Sequence, residues 1–152
     1  MKKITPFLWF DNQAEEAANF YTSVFKNSKV GHISRYSDAA AKASGQPAGS
    51  AMTVSFELDG AEFTALNGGP IFKFSEAISF SVECEDQDEI DYFWEKLTSG
   101  GEESQCGWLK DKFGLSWQII PKNLSELLGS TAAMQAMLSM KKLVIADLKS
   151  AK

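Results

Sequence analysis

Among its 152 residues this chain has a single histidine, His32, a single arginine, Arg35, and two cysteines, Cys84 and Cys106. Each scarcity removes a class of explanation. With one arginine and a net charge of −5 there is no basic stripe to neutralise phosphates, so nucleic acid is excluded as a partner. Apolar runs stop well short of the roughly 18 residues that cross a bilayer, which predicts no membrane span. Met1-Lys2-Lys3 leads into a strand-like segment with Pro6, Asp11 and Asn12 close behind, which is not a signal peptide, so the chain is expected in the cytoplasm. In that reducing compartment two cysteines are expected as free thiols. A lone His32 without a neighbouring Ser or Cys lacks the partner that acid–base catalysis needs, and reads as an exposed or edge-strand residue.

What is present is periodic. Cys106 to Pro121 reads as two short strands around a turn at Asp111 to Gly114, where Asp bonds nearby backbone and Gly tolerates positive φ. Leu115 to Ile120 alternates as a half-buried strand does, and Pro121 stops the ladder. Ile4 to Phe10 is apolar on nearly both faces, which predicts a covered, central strand. Asn12-Gln13-Ala14-Glu15 has capping-box spacing before the helical stripe Ala14, Ala17, Ala18, Tyr21 and Val24. Lys29 to Ser37 returns as a strand, Asp38 to Gly49 reads as a long loop, and Ala51 to Leu66 is a hairpin about Asp59-Gly60.

The order then starts again. Ala77 to Cys84 is a predicted strand, Asp86 to Glu89 a capping box, and Ile90, Phe93, Trp94 and Leu97 a helical stripe that buries Trp94 in the core. Gly100-Gly101 closes that helix. Glu102 to Lys110 and Leu115 to Ile120 follow as strands, so residues 4–69 and 77–121 form an internal repeat of elements. In the tail, Asn123 and Glu126 cap a short helix, and Thr131 opens a longer one with the stripe Ala133, Met137, Met140, Val144 and Leu148.

Ile4 to Asp11, Glu15 to Tyr21, Leu66-Asn67-Gly68-Gly69-Pro70, Asp86 to Asp91 with Trp94, and Cys106 to Asp111 through Trp117-Gln118 resemble the PhnB-like family. Its members often carry the description 3-demethylubiquinone-9 3-methyltransferase. The family falls within the glyoxalase/bleomycin resistance/dioxygenase, or vicinal oxygen chelate, superfamily. The resemblance implies an α+β fold of two βαβββ modules forming a curved mixed sheet, with a C-terminal helical extension. The chain is then one domain, 1–152, with modules at 4–69 and 77–121 and a helical tail at 122–152.

In metal-using relatives four side chains on the concave face hold a divalent ion, and the resemblance puts those places near Thr5, Phe63, Ala77 and Gln118. None is His, Glu, Asp or Cys, which implies no metal and no cofactor. A slip of one residue brings Glu62 or Glu83 forward, and one carboxylate still makes no site. Gly68-Gly69 is followed by Pro70 and not by a helix, unlike a nucleotide-cofactor loop. The expected ligand-binding residues are Trp9, Asn67, Cys106, Trp108 and Gln118, with Ser79, Ser81 and Ser116 as companions if they share the concave face. Aromatic walls with amide and hydroxyl groups suit a neutral or weakly polar planar molecule. Trp117 reads equally well as core, and Cys106 as a small buried hydrophobe. The leading expectation is a metal-independent small-molecule-binding protein acting as a homodimer. The alternatives are an enzyme, methyltransferase or lyase-type, and a drug-sequestering resistance protein.

Overall fold

A computed structural model describes residues 3–151. The chain divides into two compact units between Lys73 and Phe74. The first contains β1 (Phe7–Phe10), α1 (Ala14–Val24), β2 (Lys29–Arg35), α2 (Asp38–Ser44), β3 (Ala51–Leu58) and β4 (Ala61–Asn67). The second contains β5 (Ser79–Cys84), α3 (Gln87–Thr98), β6 (Glu102–Glu103), β7 (Trp108–Lys110), β8 (Ser116–Pro121) and the tail helices α4 (Leu124–Leu127), α5 (Thr131–Leu138) and α6 (Ile145–Ser150).

Each unit has its own four-stranded mixed sheet. The strand orders are β1-β4-β3-β2 and β5-β8-β7-β6. In both, the first strand runs parallel to the last and the other pairs are antiparallel. The predicted repeat is therefore complete. Its second copy holds one strand more than the sequence suggests, because the segment from Glu102 to Lys110 is interrupted. Cys106 and Gly107 adopt φ of 60° and 86°, a left-handed pair that breaks pleating and separates β6 from β7.

One face of each sheet is packed on a helix. In the first unit Val54, Phe56, Ala65 and Leu8 alternate toward α1, whose Ala14, Ala17, Ala18, Tyr21 and Val24 are buried. Tyr21 stacks on Phe56 at 6.0 Å between ring centroids, and Phe56 on Phe63 at 5.3 Å. In the second unit Cys84, Trp117 and Ile119 meet Ile90, Phe93, Trp94 and Leu97 of α3. Trp94 is core as predicted, its indole N–H donating to Glu103 Oε2 at 2.9 Å. Asp86 caps α3 as its spacing predicts, accepting from Glu89 N at 2.9 Å.

Four local expectations are corrected. β1 is the outer strand of its sheet, not a central one, and Phe7 is 62% exposed. Its two-sided apolar character reflects a different use of each face, taken up below. Asp38 to Gly49 contains a helix, α2: Ser37 Oγ accepts from Ala40 N, five residues of the seven are Ala or Lys, and Gly45 ends the helix in the left-handed region. β5 begins at Ser79, leaving Ala77 in an exposed turn. The long tail helix is two short ones, because Met140 O and Lys141 O accept from Cys106 N and Gly107 N, both at 2.8 Å. Gln87 completes the break by donating to Leu143 O and accepting from Ile145 N. Tertiary hydrogen bonds have replaced the helical ones there.

Candidate functional site

Alternation assigns the remaining side chains to the faces turned away from α1 and α3. On the first sheet Trp9, Leu66, Thr53 and Ser34 are register partners and form one row. Trp9 is held on three sides. Its indole N–H donates to Gly69 O at 2.9 Å, and Phe72 meets it edge-on at 4.9 Å. Gly68 lies beneath the ring, where an added Cβ would fall 2.2 Å from Cζ2. The glycine pair after β4 is thus explained by close approach to an indole. Phe72 was not anticipated, because nothing in the sequence places it against Trp9.

Asn67 does not share that face. It is 7% exposed on the α1 side, where Oδ1 accepts from Ala14 N at 2.8 Å and Nδ2 donates to Ala51 O at 3.2 Å. Its backbone carbonyl accepts from the Tyr36 hydroxyl. This corrects two expectations at once: Asn67 is a structural residue, and it, not Asn12, serves the start of α1, whose flanking Gln13 makes no side-chain cap. A capping residue contributed from a distant strand leaves no signature in local spacing.

At the other end of the first sheet, Thr5, Lys29, Gly31, Ser55, Glu57, Glu62 and Thr64 line a cleft of about 310 Å³ together with Phe56 and Phe63. Glu57 and Glu62 are register partners, and Lys29 is opposite Glu57. Like charges directly opposed are unfavourable, and the lysine offsets part of that cost. Of the inferred metal places, Thr5 and Phe63 both line this cleft, and Phe63 is largely buried with its ring stacked on Phe56. Among the described residues no group of three or more His, Cys, Asp or Glu is placed to hold an ion. The donor set does not fit a bound metal.

On the second sheet a comparable row runs Ser81, Gln118, Trp108 across β5, β8 and β7. The adjacent row is Ser79, Ser116, Lys110. Gln118 and Trp108 are half-buried, and Gln118 Nε2 donates to Ser79 Oγ at 2.9 Å, which fixes the amide and leaves Oε1 open as an acceptor. Ser116 is buried and its Oγ has no hydrogen-bond partner among the described residues. Lys110 pairs with Glu76 at the surface; the carboxylate raises the ammonium's pKa and is itself lowered by it.

Beneath the row, Trp117 points to α3 and its indole N–H donates to Asp111 Oδ2 at 2.9 Å. Asp111 Oδ1 accepts from Phe113 N and Leu115 N, so the turn aspartate also anchors a core tryptophan, a role the turn chemistry alone does not announce. Cys106 is a free, half-buried thiol beside Trp108 in sequence, and its backbone N–H is tied to the tail. Cys84 is also free; burial, then Glu89 and Asp86, push its thiol up to about 12. His32 is exposed on the outer strand β2.

The expected residues therefore divide between the units. Trp9 lies on the open face of the first sheet, Trp108 and Gln118 on that of the second, Cys106 at its margin, and Asn67 in the first core.

Residues 2–120 match the family model described as 3-demethylubiquinone-9 3-methyltransferase. No functionally curated protein matches the chain. The PhnB protein from Bacillus cereus is 37% identical, with 78% of this chain and 99% of that one covered at a TM-score of 0.69. Protein PA1353 from Pseudomonas aeruginosa is 18% identical over 80% of this chain and 98% of that one, with a TM-score of 0.63. The fosfomycin resistance protein FosX from Listeria monocytogenes is 14% identical over 85% and 98%, with a TM-score of 0.54. The last two likenesses are of fold. With a family model matched over most of its length and the repeated βαβββ plan in both units, the chain belongs to the PhnB-like family described as 3-demethylubiquinone-9 3-methyltransferase.

Proposed function

We propose that this protein binds a small planar molecule on the sheet faces turned away from α1 and α3, without a metal ion. The observation that carries this reading is the row Ser81, Gln118, Trp108, an aromatic wall beside an amide held in place by Ser79. Trp9 supplies a second preorganised aromatic surface in the first unit. Rigid aromatics with few polar groups bind by apolar burial and take orientation from the polar ones. The Gly68-Gly69 pair serves Trp9, which removes the feature most reminiscent of a nucleotide-cofactor loop.

Native mass spectrometry of freshly purified protein is expected to retain a ligand. Replacing Trp108 by Ala should weaken its binding by about 1–3 kcal/mol, while Gln118→Ala alters selectivity more than affinity. Unchanged affinity in Trp108→Ala, measured by calorimetry, would overturn the reading.

We infer further that the protein is a cytoplasmic homodimer. Ile4, Phe7, Ile71 and Phe72 of the first unit and Leu138 of the tail are large apolar residues left exposed, surface of the kind a second copy would cover. Light scattering at micromolar concentration should give twice the chain mass, and a monomer mass counts against it.

A further inference from the structure

Ser116 presents a buried hydroxyl that no described residue uses. It is 1% exposed, its Oγ lacks a partner among the described residues, and alternation with the buried Trp117 directs it to the same face as Gln118. Native proteins rarely leave such a group unsatisfied, and the exceptions call for an explanation. Its register neighbours are both donors. Ser79 accepts from Gln118 Nε2, so its own O–H proton remains available, and Lys110 on the other side carries an ammonium.

We propose that Ser116 is the polar anchor of the ligand, and that the ligand class is a planar conjugated molecule bearing an acceptor oxygen, a carboxylate or ring carbonyl. Ser116 and Ser79 donate to that oxygen while the ring lies against Trp108. This rests on the binding reading above and adds the ligand's chemistry. The hydroxyls and ammonium in one row favour an acceptor, and an anionic one most, because hydrogen bonds to charged groups are the stronger kind. In the bound state Lys110, the register neighbour of Ser116, exchanges Glu76 for the ligand. Both are partly exposed, so that ion pair costs little to open, and the released ammonium then faces the incoming oxygen.

The test uses benzoate and toluene, probes of nearly the same shape that differ in the acceptor. Each is titrated into isotope-labelled full-length protein while the Trp108 indole and Gln118 amide signals are followed. Benzoate should shift both, Ser116→Ala should weaken benzoate roughly tenfold and leave toluene unchanged, and Trp108→Ala should weaken both probes. Because the hydroxyl has no internal partner, Ser116→Ala should melt at or above the parent temperature. Parent-like benzoate binding by Ser116→Ala, or a clear drop in its melting temperature, overturns the anchor while leaving the Trp108 surface standing. If neither probe moves the Trp108 and Gln118 signals, the binding reading falls and the anchor with it.

Discussion

Asn67 joins three separate stretches through one side chain and one carbonyl. The Ala14 amide it accepts from is among those that α1 cannot satisfy internally. Truncating Asn67 to Ala leaves that N–H without its acceptor and removes a bond to the Ala51 carbonyl inside the core. The expected cost is about 2–3 kcal/mol, combining a lost cap with buried unsatisfied groups, and urea unfolding measures it. Spacing marks Asn12 as the cap because Asn, Ala and Glu are correctly placed along the chain, but the acceptor comes from 53 residues away. Local reading has no access to such a partner. By contrast, the burial of Trp94 and the Asp86 cap were legible, since both depend on neighbours within one helix.

At the scale of elements, the strap from Met140 to Ile145 is held by Cys106 N, Gly107 N and both ends of the Gln87 amide. Asp91 adds to it, bonded by Lys142 at 2.8 Å and by Gln87 at 3.0 Å. The Lys142 ammonium, then the Gln87 amide, hold the Asp91 carboxyl below the usual carboxylate range. A carboxyl with a depressed folded pKa stabilises above its unfolded value and loses that contribution as pH falls through the folded one. The Asp91 contribution to the strap is thus expected intact at neutral pH and lost in acid, below an ordinary aspartate's pKa of about 3.9. Carbon-detected NMR titration should give Asp91 a midpoint below an ordinary aspartate's, about 3.9, and Lys142→Ala should raise it. The tail from Thr131 was expected as one helix with a stripe through Met140 and Val144, and both instead lie in the strap, because the bonds that break the helix come from α3 and from the loop before Trp108.

For the molecule as a whole, the βαβββ plan could be read twice from turn chemistry and periodicity, because each module buries one sheet face on one amphipathic helix. The missing strand β6 is two residues long, too short for a periodic signal. The candidate site was partly legible: Trp9, Trp108 and Gln118 alternate away from the helices, while the free Ser116 hydroxyl emerges only from a full account of partners. The metal expectation belongs to this scale too. Protein purified without chelator should carry well below one equivalent of zinc, nickel, manganese or iron per chain by elemental analysis. One tightly held equivalent, lost on chelation together with ligand binding, would place the chain with metal-dependent relatives.

The Asn67 junction also bears on the route by which the first unit folds. Its bonds to Ala14, Tyr36 and Ala51 span 53, 31 and 16 residues, so the full set forms only once α1, the end of β2, β3 and β4 have met. Contacts of such sequence separation close late, after most loop entropy has been lost. Loss of the junction should leave the folding limb of a chevron nearly unchanged and steepen nothing but the population of escape, raising the unfolding rate. Asn67 is then a latch: it governs how long the first unit stays folded rather than how fast it arrives.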